Sequence, residues 1–120
     1  MLTREMARAV WAGTGLQLAD LSASDLGTLR GRLDRELRAS DLIRGSFRMH
    51  PRVRTVSHGG RLRTADLRCR SDYFEERQAI TFEESGFVGF AGWADEVNVQ
   101  PVLIAFTSWA TELAARRVPA

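Results

Sequence analysis

The sequence predicts an α+β fold: a four-stranded antiparallel sheet of two hairpins, with N-terminal helices and a C-terminal helix packed on one face. Three observations carry this. Apolar residues recur at helical spacing towards both ends of the chain. They alternate with polar residues through the middle. Two turn signals, "SHGGR" at 57–61 and "EESG" at 83–86, divide that middle into paired runs. A length of 120 residues suits one domain, residues 1–120.

The first helix is expected over about residues 3–12. Thr3 can cap it, and Met6, Ala7, Val10 and Trp11 share a face. Gly13 and Gly15 end it. A second helix begins at Ser22, whose spacing to Asp25 fits a capping box with the shorter acid. Leu26, Leu29, Leu33 and Leu37 form a narrow apolar stripe along it. That stripe suits a core, or else a partner helix, which leaves a homodimer open. Arg30–Asp34, Asp34–Arg38 and Arg32–Glu36 are spaced as i, i+4 pairs. Gly27 and Gly31 weaken the helix, and close packing would explain them.

Residues 46–70 predict the first hairpin. Phe47, Met49, Pro51 and Val53 alternate with Arg48, His50, Arg52 and Arg54. Pro51 cannot donate to a ladder, so this strand belongs at an edge. In the return strand Ala65, Leu67 and Cys69 share one face, and Asp66, Arg68 and Arg70 the other. Leu62 and Thr64 are out of phase with Ala65, which predicts a bulge near Thr64. In the second hairpin Ile80 and Phe82 point one way, Glu83–Gly86 turn, and Phe87–Trp93 return. Asn98 would cap a last helix over about Val99–Arg116, with Pro101 at its third position. Val99, Val102, Leu103, Phe106, Ala110, Leu113 and Ala114 form its stripe, with Trp109 at the edge. The expected core is Phe47, Val53, Leu67, Ile80, Phe82, Phe87 or Phe90, Leu103, Phe106 and Leu113.

Charge is uneven along the chain. All 17 basic residues are arginine, as mutation pressure in a GC-rich genome would produce. Residues 44–70 hold eight arginines and one acid, net +7; residues 71–100 hold one arginine and seven acids, net −6. Arg48, Arg52, Arg54, Arg61, Arg63, Arg68 and Arg70 fall on two adjacent strands, most of them opposite the apolar side chains. Such a face is a platform for an acidic protein or for a phosphate backbone. Alternatively these arginines pair with the acids of the second hairpin. Large side chains that prove exposed, among Trp11, Tyr73 and Trp109, would be the anchors of a protein contact.

Catalytic chemistry is not expected. "HGG" at 58–60 has no G-x-S-x-G elbow to accompany it and suits a turn. His50 and His58 lack metal-pair spacing. Glu75, Glu76, Glu83 and Glu84 suit solvated turns, and Asp95, Glu96 and Asn98 a helix start. Cys69, the only cysteine, suits a buried core position. No cofactor, metal or catalytic residue is therefore assigned. No apolar run approaches the ~18 residues that cross a membrane. Glu5 argues against a signal peptide, and a cytoplasmic location is expected.

Residues 72–115 resemble a group of small bacterial proteins carried by prophages and other mobile elements. The resemblance rests on Arg77–Phe82 ("RQAITF"), Gly86–Ala94 ("GFVGFAGWA"), Asn98–Pro101 ("NVQP") and a following helix that carries Trp109. It implies a small accessory protein, in a setting where inhibitors of host defence complexes, anti-CRISPR proteins among them, are common. No assigned activity comes with it. The expected function is a non-enzymatic binding protein, an inhibitor acting by protein contact. The alternative is a nucleic-acid-binding accessory protein that uses the arginine-rich hairpin.

Overall fold

The structure, a computed structural model, describes residues 1–39, 50–70, 77–90 and 99–117. Its elements run α1 (Arg4–Thr14), a single 3-10 turn (Leu18–Asp20), α2 (Ala23–Ala39), β1 (His50–His58), β2 (Arg61–Arg70), β3 (Arg77–Glu83), β4 (Val88–Gly89) and α3 (Gln100–Arg117). The strands form one antiparallel sheet in the order β1-β2-β3-β4. This is the α+β architecture the patterning predicts.

Both hairpin turns follow from glycine. Gly59 and Gly60 sit at φ 59° and 75°, the two positive φ values that a two-residue turn needs to match strand twist. Gly86, at φ 96°, closes the second turn, where its N–H donates to the Glu83 carbonyl. The bulge falls where the phase break places it. Val56 pairs with Thr64 and Ser57 with Leu62, so Arg63 is the extra residue of β2. β1 is an edge strand, as Pro51 requires.

One face of the sheet carries Ala65, Leu67, Cys69, Ile80, Phe82, Val88 and Phe90, all buried against the helices. Phe106 of α3 lies at the centre of that core. Its ring stands 5.1 Å from Phe90, 5.9 Å from Phe82 and from Trp109, and 6.1 Å from Trp11. Trp11 and Trp109 stack at 5.9 Å with 9° between planes. Both tryptophans are thus interior, which removes them as partner anchors; Tyr73 lies outside the described residues. Helix α3 is buried on more than a stripe, because α1 and α2 pack on it from the sides the sheet leaves open. It starts at Gln100, so Pro101 is its second residue, one place earlier than expected. Val53 is only partly buried and Phe87 is exposed, so Phe90 fills the aromatic core position. Phe47, Met49, Trp93 and Asn98 lie outside the described residues.

The helices keep their sequence signals with three corrections. Thr3 caps α1, and the Ser22–Asp25 capping box closes in both directions. All four stripe leucines of α2 are core, so the stripe holds no partner helix. Met6 is exposed, because α1 is rotated to turn Arg4 and Arg8 towards β4. The Arg4 and Arg8 Nε atoms donate to the Phe90 and Val88 carbonyls at 3.2 and 2.8 Å. Four helical residues rise ~6 Å, close to the ~6.7 Å span of two strand residues, so the two arginines match the strand's outward carbonyls. Arg38 pairs with Asp34 at 2.9 Å, whereas Arg32 reaches across to Glu112 of α3.

The third correction concerns Gly27 and Gly31. A Cβ at either would meet nothing within 4 Å, so neither serves close packing. Gly27→Ala and Gly31→Ala should each stabilise the fold by about 1 kcal/mol, seen as a higher urea midpoint at unchanged slope. A loss of stability in either variant would show that α2 depends on those glycines after all.

Candidate partner-binding face

The β1–β2 register decides where the arginines go. Residues paired across an antiparallel ladder point to the same face. Val53–Leu67 and Pro51–Cys69 therefore turn inward, and Arg52–Arg68, Arg54–Asp66 and Val56–Thr64 turn to the face away from the helices. Arg52 and Arg54 are exposed, and Arg68 is partly covered. Arg52 and Arg68 are direct cross-strand partners, and the Arg68 guanidinium turns towards Asp66. Like charges at paired positions are unfavourable in a ladder unless counter-charges lie near, as Asp66 does for Arg68.

Asp66 is the acid of this face, and it is buried. It is 9% exposed and lies 3.5 Å from an Arg68 Nη. Its Oδ1 and the Arg68 Nε are buried without a hydrogen-bond partner. Asp66 is flanked by Arg54 on β1 and Thr81 on β3, so neighbouring side chains cover it.

The remaining arginines form a second group at the hairpin tip. Arg61 reaches Glu84 at 3.2 Å and Arg63 reaches it at 2.5 Å. The bulge is what aims them. The Glu84 N–H donates to the Arg63 carbonyl, which draws the β3–β4 turn beside the tip. The hydrogen bond from Arg63, with the added charge of Arg63 and Arg61, holds the Glu84 carboxyl below its usual range. Here one acid of the second hairpin, Glu84, pairs with two arginines of the first. The structure thus brings together Arg52, Arg54 and Arg68 on the face, and Arg61 and Arg63 at the tip. Arg48 lies outside the described residues, as does the Arg70 side chain.

Among the described residues, those considered for catalysis are not assembled. His58 is exposed in its turn, Glu83 is exposed, and Glu84 is bound to arginine. Cys69 is fully buried, and desolvation, with the charge of Asp34 adding to it, pushes its thiol up to about 12. No group of three or more His, Cys, Asp or Glu side chains among the described residues could hold a metal ion. Glu75, Glu76, Asp95 and Glu96 lie outside those residues. No described helix is long and apolar enough to cross a membrane.

Sequence reasoning missed one surface. A groove of about 430 Å³ runs between α1 and the β3–β4 turn, with Arg8, Trp11, Leu16, Phe87 and Val88 among its lining residues. No local pattern in the sequence signals it, because its walls come from segments far apart in the chain. No family model matches the chain, and no curated protein or solved structure matches it either.

Proposed function

We propose that the chain is a non-enzymatic binding protein acting through protein contact, with the arginine face of β1 and β2 set against an acidic surface of a larger complex. The opposition of Arg52 and Arg68, with Arg54 beside them on the face away from the helices, carries this reading. An acidic partner surface would be complementary to the positive charge of these side chains. The resemblance to mobile-element proteins supplies the setting: the cytoplasm of a bacterial host, with a defence complex as target, in the manner of an anti-CRISPR inhibitor.

The test is capture from a nuclease-treated bacterial lysate by the unmodified chain and by an Arg52→Glu/Arg54→Glu variant. Both positions are exposed, so the variant should fold. A defined protein complex retained by the first and lost from the second is expected. Glu84→Gln should strengthen retention, because it releases Arg61 and Arg63. Equal capture by both chains would refute the reading. Recovery of nucleic acid alone, with affinity falling steeply with salt, would instead establish the arginine hairpin as a phosphate-backbone reader.

A further inference from the structure

The groove beside the β3–β4 turn has a built interior. The Phe87 ring is 49% exposed, yet it is held in place. Gly89 makes room for it: a Cβ there would stand 3.2 Å from a ring carbon. The Arg8 guanidinium lies 5.2 Å from the centre of the Phe87 ring and 5.8 Å from that of Phe90. The Arg8 Nε is committed to the Val88 carbonyl at 2.8 Å, which fixes the guanidinium plane. Among the described residues no carboxylate forms an ion pair with Arg8. The site is therefore an apolar trough with one oriented cation at its wall. Its volume is that of a pocket for one or two side chains, and it opens to solvent along one side.

We propose that this groove receives, from a partner protein, an apolar side chain with a carboxylate next to it. The apolar side chain lies against Phe87, Leu16 and Val88, and the carboxylate meets the Arg8 guanidinium. Charge complementarity identifies the occupant, because a guanidinium with its plane fixed selects a planar anion. An aromatic ring and an arginine side by side are also the residue types that dominate protein contacts. The inference rests on reading the chain as a protein-binding module, and it names what the partner must carry. It also joins the two surfaces. Ser85 and Gly86 of the groove follow Glu84, which binds Arg61 and Arg63 at the hairpin tip. An acidic partner docked on the hairpin would reach the groove across that one turn.

Three blocked peptides test this on the ¹⁵N-labelled full chain by NMR: acetyl-Phe-Glu-amide, acetyl-Phe-Gln-amide and acetyl-Ala-Glu-amide. The first should shift the Leu16, Ser85, Gly86 and Phe87 amides saturably. The glutamine peptide should bind up to about fivefold more weakly, the range of a solvated ion pair. The alanine peptide should bind about tenfold more weakly or worse. Arg8→Gln keeps a donor for the Val88 carbonyl and should erase the Glu–Gln difference. Phe87→Ala should weaken all three peptides. Equal binding of the Glu and Gln peptides, shifts confined to the β1–β2 hairpin, or no saturable shift would each overturn the proposal. If Arg8→Gln loses its amide dispersion, salt decides on the unmodified chain. The Glu–Gln difference must shrink as salt rises to about 0.5 M, and a constant difference overturns the proposal. Arg52→Glu/Arg54→Glu should leave these peptide shifts in place, so groove and hairpin can fail separately.

Discussion

Replacing Phe106 with alanine should lower the unfolding free energy by about 3–5 kcal/mol. That is a large part of the ~5–15 kcal/mol by which a domain is stable. The magnitude follows from where the ring sits. Phe106 is fully buried and its ring meets four others: Trp11 from α1, Phe82 from β3, Phe90 after β4 and Trp109 one turn along α3. Removing it opens a cavity at the point where helix and sheet meet, and the surrounding rings are too rigid to fill it. Urea denaturation followed by tryptophan fluorescence measures the loss. Ile104→Ala, at an exposed site on the same helix, should change stability by no more than about 0.5 kcal/mol. A Phe106→Ala loss below about 1 kcal/mol would mean that α3 is not the central element of the core.

Phe106 was legible in the sequence because it lies mid-stripe in a segment whose period is unambiguous. The four α2 leucines, the inward residues of β2 and the bulge at Arg63 were legible for the same reason. Period and phase are local properties of a chain. The errors came where a side chain's destination is set by another element. Met6 fits an apolar stripe as well as Ala7 does. It is exposed because Arg4 and Arg8 find the outer carbonyls of β4, which no local pattern announces. Trp109 moved from the edge of a stripe to the interior because α2 offers the Asp25 carbonyl to its indole N–H at 3.0 Å.

The candidate site divides along the same line. Alternation alone placed Arg52, Arg54 and Arg68 on one face. It could not show that Arg52 opposes Arg68, since that depends on register across the turn. It put Asp66 on that face too, but could not show that neighbouring side chains cover it there. The groove was invisible because its two walls are separated by about seventy residues of chain. Only the fold brings Trp11 and Leu16 beside Phe87 and Val88.

Cys69 gives the second large effect, and it appears only at alkaline pH. The thiol is fully buried between sheet and helices. Burial first, and the negative charge of Asp34 second, push it from 9.0 to about 12. The unfolded chain therefore loses this proton near pH 9, while the folded chain keeps it until about pH 12. Stability from the neutral thiol is fully present below pH 9 and is lost progressively between pH 9 and about 12. At one pH unit per ~1.4 kcal/mol, the loss by pH 10.5 is about 2 kcal/mol. Cys69→Ala removes the titrating group and should show a flatter profile over the same window. Denaturation midpoints at pH 8 and 10.5, in both chains, give the comparison directly. The same burial predicts the thiol's chemistry. At pH 7 the thiolate fraction in the folded state is on the order of 10⁻⁵, so a disulfide reagent should label Cys69 only as fast as the chain opens. Rapid labelling under native conditions, or parallel pH profiles for the two chains, would show that the Cys69 thiol is not held neutral by burial.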